Sequence, residues 1–212
     1  MNVSKKQNPG NWSGAVILFA VFFLGSQPAA VAEEEITRCD KLASHGEDPA
    51  RVAPGQSTGS IDLPVAIEIC REDVQANPDN ARIRYQFARV LFYSGRFEEA
   101  MTEMLIAADG AHAQAQFVYG IFVVKGRPGA PTDPCIAERY WQASAEGGRF
   151  AATLHYAVQT LRDTFQNCPD VATADELDRW LTAATQSAPA GYAGYYQRMF
   201  IDDLTYRLSE RG

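Results

Sequence analysis

The stretch ARIRYQFARVLFYSGRFEEAMTEMLIAA, residues 81–108, decides the fold of this chain. Apolar side chains between Ile83 and Leu91 recur at the spacing of one helical face. Gly95 then interrupts the pattern, and a second series of apolar and small residues runs to Ala108. The stretch therefore predicts two helices joined by a tight turn, which is a helical hairpin.

The hairpin pattern returns twice further along the chain. The triplet QFA at 86–88 is followed by VYG at 118–120 and by HYA at 155–157, so the period is 32 to 37 residues. Hairpins of this length cannot bury their apolar faces alone, and they stack on their neighbours. We therefore predict an all-α fold over 62–212, an α-solenoid of stacked antiparallel helical hairpins.

A solenoid needs a cap at its end, and residues 190–208 predict a C-terminal capping helix. In this interpretation the acidic pair Asp202 and Asp203 faces water. A set of large apolar residues is expected to face the stack: Tyr192, Tyr196, Met199, Phe200 and Leu204.

The hairpin at 81–108 resembles the tetratricopeptide repeat. The resemblance rests on the order of small and large residues, in particular Gly95, Phe97, Ala100 and Ala107. Arg84 departs from the pattern, because the family usually has an aromatic residue there.

The next unit is similar to the related Sel-1-like repeat. It has Tyr119-Gly120 on the first helix, Gly126 and Gly129 in the loop, and Tyr140-Trp141 on the second helix. A third unit, 149–188, keeps the aromatic and small residues, but its loop lacks the usual glycines. The resemblance covers roughly 64–188.

The resemblance implies a concave groove lined by the first helix of each hairpin. Its candidate binding residues are Arg82, Tyr85, Arg89, Phe92 and Tyr93, continued by Phe117 and Ile121. Arginine grips carboxylates through two parallel hydrogen bonds, and tyrosine adds contact area at low entropic cost. We expect the groove to bind an acidic peptide or a free carboxylate. The alternative is that Arg82 and Arg89 are solvated charges of a helix surface.

The first 32 residues are typical of a cleavable signal peptide. Lys5 and Lys6 precede an apolar stretch at 15–24, and Ala30-Val31-Ala32 offers small residues for cleavage. The apolar stretch is about half the roughly 20 residues that a membrane-spanning helix needs. We therefore expect export to the periplasm, with release from the cell as an alternative, and no transmembrane segment after signal cleavage.

Residues 33–61 contain several glycines and prolines without a sustained period, which predicts an irregular lead-in segment. The chain has four cysteines, and an even number in an exported protein indicates two disulfides. Three pairings are possible. We favour Cys39 with Cys70 and Cys135 with Cys168, because each repeat of a solenoid contacts only its neighbours.

The charge of the chain argues against nucleic-acid binding. After removal of 1–32, the chain keeps 17 basic and 26 acidic side chains, a formal net charge of −9. An acidic surface repels phosphate backbones and anionic headgroups.

The sequence contains no GxSxG, HExxH or phosphate-binding glycine motif. His45, His112 and His155 lie in different units without metal-ligand spacing, so we interpret them as surface or packing residues. We expect neither a catalytic site, nor a metal, nor a cofactor. The polar run 57–60 is interpreted as loop, and the segment 126–133 as a turn between helices that ends in a helix start at Asp133. Asp62 is predicted to cap a helix with Pro64 in its first turn.

Together these features predict a non-enzymatic periplasmic adaptor that binds an envelope protein or peptide. Proteins with similar repeats are mostly scaffolds. One alternative is a protein that binds peptidoglycan, as some exported Sel-1-like proteins are thought to do. The other is a β-lactam-binding or hydrolysing enzyme like the Helicobacter cysteine-rich proteins, but the regular cysteine pair of their repeats is missing here.

Overall fold

The structure is a computed structural model that describes Met1 and residues 35–211. The predicted signal peptide therefore lies outside the described residues, apart from Met1. Over 35–211 the chain forms nine α-helices and no β-strand. The helices are α1 (Arg38–Ala43), α2 (Leu63–Ala76), α3 (Ala81–Tyr93), α4 (Phe97–Asp109), α5 (Ala113–Val124), α6 (Pro134–Glu146), α7 (Phe150–Leu161), α8 (Ala174–Ser187) and α9 (Tyr192–Ser209).

Polar side chains set the starts of several helices. Asp62 caps α2, accepting a hydrogen bond from the Val65 amide, and Pro64 lies in the first turn. Asp133 caps α6 in the same way, with Pro134 as its first residue. Carboxylates at this position satisfy amides that have no partner within the helix. The helix starts predicted at Asp62 and Asp133 are confirmed.

Each helix packs on the helices before and after it in the sequence. The all-helical prediction is confirmed, and α3 and α4 match the hairpin predicted over 81–108. Close approach needs small residues at the contacts. A Cβ added at Gly120 of α5 would lie 2.3 Å from the indole nitrogen of Trp141, so the fully buried Trp141 of α6 fits only against glycine.

Two disulfides join the cysteines in the pairing that we favoured. Cys39–Cys70 links α1 to α2, with 4.7 Å between the Cα atoms. Cys135–Cys168 links the first turn of α6 to the loop that follows α7, with 5.2 Å between the Cα atoms.

The lead-in segment is more ordered than its composition predicts. It contains α1 and a short 3-10 turn at Thr58–Ser60, and it belongs to the same compact unit as the rest of residues 35–211. Thr37 and Asp40 build a reciprocal cap at the start of α1, each side chain bonding to the backbone of the other residue. This local pairing, together with the disulfide, explains why a stretch rich in glycine and proline holds a helix.

The prediction for the terminal helix is wrong in its orientation. Gly194, Ile201 and Leu204 face inward, whereas Tyr192, Tyr196, Met199 and Phe200 are exposed. Two apolar stripes lie on opposite sides of α9, and only one of them can face the stack. Gly194 lies on the inward side, and an added Cβ there would come within 1.6 Å of the Pro189 carbonyl oxygen, so the turn before α9 packs closely on the first turn of the helix.

Among the described residues, no helix has the length and apolar character needed to cross a membrane.

Candidate functional site

The segment 35–61 lies across the face of α3 that was predicted to line an open groove. Its first anchor is the Cys39–Cys70 disulfide, whose two cysteines are fully buried. The Cys39 amide also donates a hydrogen bond of 2.7 Å to the Asp73 carboxylate of α2. These two links hold α1 against α2 and bring Asp40 over α3.

Asp40 and Arg82 form a buried ion pair between α1 and α3. Asp40 is 0% exposed and Arg82 is 3% exposed. Gln86, one turn along α3, donates a second hydrogen bond of 2.8 Å to the same carboxylate. The prediction that Arg82 lines an accessible groove is therefore wrong, and so is the alternative that it is a solvated surface charge. The acidic lead-in covers it.

Arg89, two turns along α3 from Arg82, is 5% exposed and is held by the lead-in backbone. Its guanidinium donates to the carbonyl oxygens of Ala43 at 2.9 Å, Ser44 at 3.1 Å and Gln56 at 2.6 Å. It also lies over the ring of Tyr93 and donates to the Tyr93 hydroxyl at 3.3 Å. In the described part of the chain no carboxylate pairs with Arg89. The Arg89 guanidinium is therefore solvated by neutral acceptors.

The lead-in loop reaches beyond α3 to the starts of α5 and α7. The carboxylate of Asp48 lies 3.2 Å from Nε2 of His112, although off the line of a straight hydrogen bond, and both atoms are otherwise unpaired and buried. Since Nδ1 of His112 accepts from the Ala115 amide, Nε2 carries the proton that faces Asp48. Glu47 lies 3.9 Å from Arg149 at the start of α7. Three carboxylates of one segment thus face three basic side chains of the helices.

Two cavities meet beside Arg89, and we call them together the Arg89 recess. Both are bounded by His45, Arg89 and Tyr93. The polar cavity, of about 320 Å³, is lined by the loop residues 46–47 and 55–58. The apolar cavity, of about 170 Å³, is lined mainly by Tyr85, Phe92, Met104, Val118 and Phe122.

His45 lines both cavities, so its protonation state affects the charge of the recess. Burial lowers the pKa of His45 below its usual value, and the positive charges of Arg89 and Arg149 lower it further. Asp48 and Glu47 act in the opposite direction with smaller effects. His45 therefore favours its neutral form, and the positive charge of the recess resides on Arg89.

The structure brings together four of the seven predicted binding residues in this recess: Tyr85, Arg89, Phe92 and Tyr93. Phe117 instead packs edge-on against His155 of α7, with the Arg149 guanidinium over its ring. Ile121 is half-buried against the main core. Arg82, Phe117 and Ile121 are therefore separate from the recess.

Sequence reasoning missed the residues that cover the predicted groove, above all Asp40, Asp48 and His112. The sequence does contain an indication of this contact, since residues 35–48 are acidic and α3 carries three arginines. We had predicted that His112 is a packing residue, but it also caps α5 and contacts Asp48.

Another cavity, of about 590 Å³, lies elsewhere, at the starts of α3 and α5. Alanine and glycine form much of its lining, so it offers few side chains for recognition. Among residues 35–211 no group of three or more histidine, cysteine or acidic side chains is placed to hold a metal ion.

No protein-family model matches the chain, and searches of curated proteins and of solved structures found no significant match.

Proposed function

We propose that this protein is a non-enzymatic adaptor of the periplasm, built from Sel-1-like and tetratricopeptide-like repeats, that binds a peptide segment of another envelope protein. The consecutive packing of the helices supports the repeat interpretation. The two disulfides support an oxidising compartment, because such bonds persist outside the cytosol. The proposed binding site is the Arg89 recess.

The observation that carries this proposal is the bonding of Arg89. A buried guanidinium that faces only carbonyl and hydroxyl oxygens gains most from an ionised acceptor, because charge-assisted hydrogen bonds are about twice as strong as neutral ones. The apolar cavity beside it suits a hydrophobic side chain. The ligand that fits both is a peptide with a carboxylate next to an apolar residue.

Arg89 is 5% exposed, so a ligand carboxylate reaches it by replacing one of the loop carbonyls. The Gln56 carbonyl is the natural one to leave, since it belongs to the loop that lines the polar cavity. Arg89 would keep its bonds to Ala43 and Ser44 while the ligand binds. Before a ligand binds, the lead-in therefore occupies the position on Arg89 that the carboxylate of the peptide would take.

Photo-crosslinking from the recess tests this proposal. Benzoylphenylalanine replaces Tyr93 in the exported protein, and a control protein carries it at Phe97, which is 40% exposed on α4. After illumination of envelope fractions, we expect a defined protein adduct from position 93 alone. Its crosslinked peptide should contain a carboxylate next to an apolar residue.

A pair of variants on α5 adds specificity to the test. Val118→Glu places a negative charge in the apolar cavity and should abolish the adduct, whereas Val124→Glu, at an exposed position of the same helix, should leave it unchanged. Retention on peptidoglycan sacculi without a protein adduct would contradict the proposal and favour the wall-binding alternative.

A further inference from the structure

The terminal helix α9 has two unlike sides. Ile201 and Leu204 are buried against the stack, and Leu208 continues this side. The opposite side carries six large residues with exposed fractions from 44% to 85%: Tyr192, Tyr195, Tyr196, Met199, Phe200 and Tyr206. Their spacing of three and four residues places them on one stripe of the helix, which we call the aromatic stripe.

The aromatic stripe is too large to be an ordinary surface feature. With side chains of about 200 Å² each, the exposed fractions amount to about 700 Å². Monomeric proteins rarely expose an apolar patch larger than about 300–600 Å². A standard protein interface buries about 800 Å² on each partner, so the stripe alone supplies most of one side.

The position of α9 explains why the stripe is free. The helices α3, α5 and α7 are each followed by a helix that packs on them, namely α4, α6 and α8. Helix α9 packs on α7 and α8, and in the described residues no helix follows it. Within residues 35–211 its outer side is therefore not covered by a following helix.

We propose that a second copy of this chain covers the aromatic stripe, so that two α9 helices pair antiparallel about a two-fold axis at Met199. An isologous contact requires a self-complementary surface. In this arrangement Tyr192 of one copy faces Tyr206 of the other. Tyr195 and Tyr196 face Asp203 and Asp202, where the phenol groups can donate hydrogen bonds to the carboxylates.

The charges on α9 select the antiparallel arrangement. A parallel pair would bring Asp203 of one copy against Asp203 of the other, which is unfavourable. The antiparallel pair separates the acidic ends and opposes the two helix dipoles.

This inference does not rest on the proposed function, because the stripe and the Arg89 recess share no residue. Sedimentation velocity of the exported protein between about 0.1 and 100 µM tests it. We expect a monomer–dimer equilibrium in the micromolar range. The variant Tyr196→Glu with Met199→Glu should raise the dissociation constant at least about 100-fold, because like charges then meet at the axis.

Two controls make the test specific. The variant Ile106→Glu with Val124→Glu alters exposed apolar residues of other helices and should dimerise like the wild type. An equal mixture of Met199→Glu and Met199→Lys proteins should form mixed dimers, while each alone stays monomeric, since position 199 faces its own copy at the two-fold axis. Circular dichroism should show the same helix content in every variant.

A wild-type protein that stays monomeric at 100 µM would overturn the inference. A dimer that persists in the Tyr196→Glu, Met199→Glu variant would overturn it too, because the contact would then lie elsewhere. The same holds if mixing the two Met199 variants yields no mixed dimer.

Discussion

The two ends of the helical stack differ in whether other residues of the chain cover their outer helix faces. At the N-terminal end, the segment 35–61 lies on α3, and its carboxylates and carbonyls satisfy Arg82 and Arg89. At the C-terminal end, α9 buries its aliphatic side and leaves the aromatic stripe uncovered. A terminal repeat must cover its outer face or offer it to another molecule. The chain covers one end by itself, and we propose that a second copy covers the other.

The largest effect should come from breaking the buried ion pair at the covered end. Asp40→Asn removes one member of this buried ion pair, and breaking such a pair typically costs about 3 to 5 kcal/mol of unfolding free energy. Urea denaturation measures the loss. Glu103→Gln is the matched control, because Glu103 pairs with Arg84 at a partly exposed site, and its loss should be clearly smaller.

The same ion pair offers a second comparison. If the cost arises from breaking a buried charge pair, Asp40→Leu combined with Arg82→Met should recover much of the stability that Asp40→Asn loses. If the double variant is as unstable as Asp40→Asn, side-chain packing and not the charge pair holds the lead-in on α3.

An effect of about 3 kcal/mol is expected for each disulfide, because the two close loops of similar length, with sequence separations of 31 and 33. The double variants Cys39→Ala, Cys70→Ala and Cys135→Ala, Cys168→Ala test this by thermal unfolding. Only the loss of the Cys39–Cys70 disulfide should also speed hydrogen exchange in 38–57, since only this bond tethers the lead-in. Faster exchange there in both variants would contradict the separate roles.

The smallest effect should come from His45 at the mouth of the recess. Its pKa is lowered in the folded protein, so the unfolded chain takes up the proton first. Stability should therefore fall as the pH drops through about 6.5, the ordinary histidine pKa. His45→Asn should reduce this pH dependence. His155, whose pKa is also lowered by burial, contributes a separate part that the variant leaves in place. An unchanged slope would refute the assignment.

The sequence predicts regular features of this molecule well. The hairpin at 81–108, the helix starts at Asp62 and Asp133 and both disulfides depend on local spacing and on contacts between neighbours. Such features follow from periodicity and capping chemistry.

The candidate site was predicted only in part, because it depends on contacts between distant segments. Arg82 and Asp40 are 42 residues apart, and no periodic pattern links them. The outer side of α9 was misassigned because both of its sides are apolar, and apolar spacing alone does not determine which side meets the stack.

Hydrogen–deuterium exchange of the exported protein tests most directly whether the lead-in is seated on α3. Peptides that cover 38–44 should exchange as slowly as those from α3, since the Cys39 amide is bonded to buried Asp73 and the Ser44 amide to the Asp40 carbonyl. Exchange of 38–44 at the rate of a free chain, with α3 still protected, would contradict this account and leave Arg82 and Arg89 on an open face.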